Sequence, residues 1–193
     1  KQGEILSRDG QAALDLILDD PSPATLIQSF PEQDLYYLMH KIGADDFVPV
    51  LSLASSDQWE YILDMDVWES DRIDLSAVTR SFDLLFEADP GRLLRWVITT
   101  KPDFFEFYLF KQMTVVIREH DDPPPEDFDD YITIDDKFYF RFPSKPASEK
   151  DGDTAPDARD HRPPWELIEK MLKSLADMDL SVYHGLLLET ASL

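Results

Sequence analysis

The sequence predicts a mainly α-helical fold: a superhelix of short stacked helix pairs, with a small β-hairpin appendage and a helical C-terminal tail. Three observations predict it. Apolar residues recur at helical spacing over most of the first 118 positions. Helix starts follow one another as a capping side chain with a nearby proline, as at Ser22-Pro23 and Asp89-Pro90. A shift of 24 positions lays Leu35, Tyr37, Leu38 and Met39 over Trp59, Tyr61, Ile62 and Leu63. One short helix pair cannot bury its apolar face alone, so such repeats must stack on their neighbours.

Taken in order, the first nine residues read as frayed. Gly10 to Leu18 forms a short apolar helix closed by Asp19, Asp20 and Pro21. Ser22-Pro23 opens the next, and Pro31 restarts the chain after Phe30. Leu35, Leu38, Met39 and Ile42 then mark one helical face that stops at Gly43. A shorter helix over 45–53 carries Phe47, Val50 and Leu51. Ser55 with Gln58 is a capping box, opening a helix with Trp59, Ile62 and Leu63 inward. Asp74 caps a helix from Leu75 to about Ala88, and Asp89-Pro90 leads into Leu93, Leu94, Trp96 and Val97. Thr100, Pro102 and Asp103 start a long helix that is apolar on most of its circumference, the pattern of a central element. Together these form a helical repeat body at 10–118.

Beyond Arg118 the pattern changes. Residues 119–130 gather carboxylates around three successive prolines, a stiff, self-repelling connector. Across 131–142 aromatic and β-branched residues flank Asp135, Asp136 and Lys137, which predicts a β-hairpin lying against the helical body. Residues 143–164 offer almost nothing to bury and read as a mobile loop. Ile168, Met171, Leu172 and Leu175 return to helical spacing. Asp177 or Asp179 then separates a last helix with Leu180, Tyr183, Leu187 and Leu188, giving a helical tail at 165–191 that docks on the body.

Eighteen Lys and Arg against 40 Asp and Glu give a net charge of −22. A field of that sign repels a phosphate backbone and an anionic membrane surface, so nucleic acid is excluded and a basic protein surface or a divalent cation is favoured. No apolar stretch reaches the roughly 20 residues of a membrane span, so no membrane insertion is expected. The absence of cysteine removes disulfides, thiol nucleophiles and thiolate zinc sites, and fits a cytoplasmic location. The chain opens on Lys1 without Met and reads as a fragment of a longer protein.

No catalytic set emerges. His40, His120, His161 and His184 lack metal-ligand partners at three or four residues, and neither a serine elbow nor a glycine-rich phosphate loop is present. His184 is expected to pack or cap beside Tyr183. The most distinctive string runs from Leu63 to Arg72. Asp64, Asp66, Glu69 and Asp71 supply hard oxygen ligands within eight positions, so magnesium or calcium is chemically possible there, although the glycine and distal glutamate of a calcium-binding hand are missing. The structural alternative has Asp64 or Asp66 closing a turn, Trp68 filling the junction between helix pairs, and Asp71 paired with Arg72 or Arg80. Trp68, Trp59 and Arg72 are thus candidate anchors, structural or for a partner.

That string resembles an uncharacterised bacterial family of unknown function associated with anaerobic sulfate- and metal-reducing bacteria. Pro31-Glu32-Gln33-Asp34-Leu35-Tyr36-Tyr37-Leu38 and Thr133-Ile134-Asp135-Asp136-Lys137-Phe138-Tyr139-Phe140 carry the same resemblance. The helical half is in turn similar, in repeat rhythm, to the cytoplasmic N-terminal domain of MgtE-type magnesium transporters, which implies a superhelix and magnesium sensing. The residues themselves point first to a protein-interaction or regulatory module of a larger protein, with no cofactor. A cation-responsive sensor and a carboxylate-based metal-dependent enzyme are the alternatives.

Overall fold

A computed structural model describes residues 1–118, 130–143 and 162–193. The connector expected at 119–130 and the loop expected at 143–164 therefore lie almost wholly outside the described residues. Among those described, eleven α-helices and five short strands make a mainly helical protein, and no helix is long and apolar enough to cross a membrane. The chain divides into two compact units, Lys1–Leu93 and Leu94–Leu193.

The first unit contains α1 (Gln2–Ser7), α2 (Gly10–Leu18), α3 (Pro23–Gln28), α4 (Glu32–Ile42), α5 (Val48–Leu53), α6 (Ser56–Val67), β1 (Trp68–Glu69), β2 (Arg72–Ile73) and α7 (Leu75–Ala88). Helix α8 (Pro90–Thr100) begins in it. Alternate helices pack together: α4 lies between α2 and α6, and α5 between α3 and α7. This is the stacking of short pairs that the 24-residue repeat requires. Leu35, Leu38 and Met39 are buried, and so are their counterparts Trp59, Ile62 and Leu63, while Tyr37 and Tyr61 reach the surface. The repeat thus maps inside onto inside.

Capping side chains fix five of the eleven helix starts among the described residues. Ser55 and Gln58 form a full capping box on α6. Asp74 accepts from the Ser76 N–H on α7, and Asp89 from the Arg92 N–H on α8. Ser22 makes no such bond, so Pro23 alone starts α3. The N-terminal stretch is not frayed: α1 buries Ile5, and Gln2 bonds the carbonyl and hydroxyl of Ser29. Gly10 fits a close crossing, since a Cβ there would stand 2.7 Å from the Lys41 carbonyl.

The second unit holds α9 (Pro102–Gln112), β3 (Thr114–Ile117), β4 (Ile132–Thr133), β5 (Phe138–Arg141), α10 (Pro164–Met178) and α11 (Leu180–Ser192). The long helix expected to reach Arg118 stops at Gln112. Thr114-Val115-Val116-Ile117 is four β-branched residues, stiff at χ1, and it pairs as a strand instead. The hairpin accordingly becomes a three-stranded antiparallel sheet in the order β3-β5-β4, with Val115 opposite Phe140 and Ile117 opposite Phe138. Helix α11 packs on α9, α10 and β3. Its start is capped by Asp179, which accepts from the Ser181 and Val182 N–H groups.

Candidate functional site

Helix α6 separates two kinds of aromatic residue. Trp59 is fully buried, donates from Nε1 to the Leu51 carbonyl at 2.8 Å, and carries the Arg92 guanidinium 3.9 Å above its ring. Nine residues on, Trp68 is 50% exposed. It does not fill a junction between helix pairs: α6 ends at Val67, and Trp68 enters β1 in extended backbone with its indole half outside. Tyr61 and Met65 fall at i and i+4 on the outward side of α6, where Met65 is 49% exposed.

The chain leaves α6 through a hairpin with Trp68 opposite Ile73 and Glu69 opposite Arg72. The Asp74 N–H donates to the Val67 carbonyl at 2.8 Å, closing the far end. Ser70, in the turn, holds a φ of 62°, in the left-handed region.

Helix α4 supplies the second half of the surface. The Tyr36 hydroxyl donates to Asp66 at 2.8 Å, and its ring meets His40 and Tyr61 edge-on at 4.4 and 6.2 Å. Tyr37, next to it, is 55% exposed with the Lys41 ammonium near its ring. Partial burial, and then the bond to Asp66 and its charge, push the Tyr36 phenol up to about 12. In spectrophotometric titration Tyr36 should therefore ionise well above the ordinary value near 10, and Tyr36→Phe should diminish the late component that Tyr139 and Tyr183, also raised, share with it. The raised value also means that the contribution is complete below pH 10 and is lost as pH rises towards 12.

Of the four carboxylates considered for a cation, Asp66 is held by Tyr36 and does not close a turn. Asp64, Glu69 and Asp71 are exposed. Among the described residues no group of three or more histidine or carboxylate side chains is placed to hold a metal. Arg72 is exposed in the hairpin, and Arg80 meets Asp74 at 4.0 Å. His120 and His161 lie outside the described residues. His184 faces Asp135 and the rings of Phe138 and Tyr183 in the second unit.

What α4 and α6 bring together is Tyr36, His40, Tyr61 and Asp66, and the exposed Tyr37, Met65 and Trp68 adjoin Tyr36 and Asp66 along the chain, among acidic residues. From Ser56 to Arg72 the sequence has Asp57, Glu60, Asp64, Asp66, Glu69 and Asp71 against the single base Arg72. The sequence-predicted site omits Tyr36, Tyr61 and Met65, although the four-residue step from Tyr61 to Met65 is legible in the sequence.

A family model described as a family of unknown function (DUF6178) matches residues 1–193. Neither a curated protein nor a solved structure matches the chain.

Proposed function

We infer that this chain, which belongs to the DUF6178 family of unknown function, is a protein-interaction module that receives a partner with a basic surface on the α4–α6 face. The observation that carries the reading is the exposure of three large side chains, Tyr37, Met65 and Trp68, next to the Tyr36–Asp66 bond that joins α4 to α6. Tryptophan, tyrosine and methionine are the residue types enriched at binding hot spots and interface centres. Tyr36 is already held by Asp66 and two rings, so little side-chain freedom remains to be lost when a partner covers it. The surrounding carboxylates steer a basic partner towards this face and repel an acidic one. A cation-sensing role would draw on Asp64, Asp66, Glu69 and Asp71, and the repeat rhythm shared with magnesium-transporter domains is its only other support.

Photo-crosslinking in cells tests the proposal. A benzoylphenylalanine placed at Met65 should capture a defined protein through a Lys- or Arg-rich segment, whereas one at exposed Asp15 on α2 should not. The same bands from both positions, or none from Met65, would refute it.

A further inference from the structure

A separate surface in the second unit is built from the turn between β4 and β5. Asp135 begins it: Oδ1 accepts from the Lys137 and Phe138 N–H groups at 3.1 and 3.0 Å, and Oδ2 stands 2.5 Å from His184 Nε2 on α11. Asp136 follows with a φ of 58°. Its Oδ1 accepts from Arg118 Nη1 at 3.2 Å and from the Tyr139 hydroxyl. The Arg118 N–H donates to the Lys137 carbonyl at 2.9 Å, which carries the β3–β5 ladder one step past the strands.

Beside this turn opens a cleft of about 730 Å³. Its apolar lining is Ile117, Phe138 and Leu188, and its charged lining is Arg118, Asp135, Asp136 and Lys137. The volume is that of a small-molecule site. Ile117 and Leu188 are exposed large apolar residues of the kind a ligand tail would cover.

The charges are not equivalent. Both carboxylates already accept from donors of the protein. Among the described residues the Lys137 ammonium stands 5.3 Å from the Phe138 ring and meets no carboxylate. The binding capacity left over is therefore a donor's, that of Lys137, since Arg118 is paired with Asp136. Within the cleft Arg118 and Lys137 offset Asp135 and Asp136, and charges farther away than about 8 Å are largely screened from a small ligand seated there.

We propose that this cleft binds an amphiphilic carboxylate, its head group on Lys137 and its apolar tail against Ile117 and Leu188. The assignment is independent of the interaction reading for the first unit. A free small acid and a peptide C terminus share this chemistry.

Calorimetric titration of the full chain with octanoate, octan-1-ol and octylamine holds the tail constant and varies the head. Octanoate should saturate, with the alcohol and the ammonium about tenfold weaker or worse. Lys137→Gln should weaken octanoate about tenfold and leave octanol unchanged, while Leu188→Ser should weaken both. Amide spectra that otherwise match the unaltered protein would show that both variants remain folded. Acetyl-Ala-Ala-Leu, as acid and as amide, distinguishes the two sources of the head group: tighter binding of the peptide acid than of octanoate assigns the site to a peptide terminus. The proposal is overturned if octylamine binds as well as octanoate, if Lys137→Gln leaves octanoate unaffected, or if neither acid saturates.

Discussion

Trp59→Ala is expected to lower stability by about 3–5 kcal/mol, the range for deleting a large buried aromatic side chain. Three losses coincide at this residue. The indole is fully buried, its N–H satisfies the Leu51 carbonyl, and the Arg92 guanidinium loses the ring on which it is stacked. Burial already holds the Arg92 guanidinium below its usual value, so a cavity beneath it leaves a partly desolvated charge less well supported. Trp59→Phe should recover part of the packing but not the bond to Leu51. Urea denaturation read by circular dichroism gives both numbers; equal stability of Trp59→Ala and the parent protein would mean that this indole is not part of the core.

The second large effect is at Gln58, a polar residue only 2% exposed. Its Oε1 accepts from the Ser55 N–H, and its Nε2 donates to the carbonyls of Ile27 and Phe30, each at 2.9 Å. One side chain therefore closes the capping box of α6 and ties that helix to the turn between α3 and α4. Gln58→Leu should cost about 2–4 kcal/mol, the sum of a lost cap and a buried carbonyl left unpaired. Phe30 bears most of that cost, since the Ile27 carbonyl keeps the Phe30 N–H at 3.0 Å. Gln58→Glu separates the two parts: it can retain the bond from Ser55 but sets a carboxylate against two carbonyls. It should be no more stable than the leucine variant. A glutamate variant as stable as the parent would show that the bonds to Ile27 and Phe30 contribute nothing.

The helix starts were legible because capping is local chemistry: Ser55 with Gln58, Asp74, Asp89 and Asp179 each act on a residue two or three positions away. The features that escaped depend on distant partners. Helix α1 is ordered by α2 and by Ser29, and nothing within its own six residues announces that. Strand β3 follows an apolar helix with only Lys111 and Gln112 as a polar break and no glycine or proline, and its partner β5 begins 21 positions after Ile117; the run of β-branched residues was the signal that could have identified it. The hairpin after α6 turns without glycine. Trp68 was misplaced in the core for a different reason. Trp59, Ile62 and Leu63 precede it on the inward side of α6, but the helix ends at Val67 and Trp68 turns outward into the extended β1. The cleft in the second unit had no sequence signature, because it depends on Asp135 meeting a histidine 49 positions away.

The most direct measurement of the central claim compares Trp68→Ala with the parent full-length protein in two readouts, melting temperature and affinity for an amphipathic Lys/Leu helical peptide. A surface anchor in an acidic setting predicts that the melting temperature is unchanged, as for a substitution worth no more than about 0.5 kcal/mol. It also predicts that the affinity falls about tenfold or more, with salt weakening the parent complex. A lowered melting temperature with undiminished peptide affinity would contradict the account, returning Trp68 to the core and leaving the α4–α6 face without its anchor.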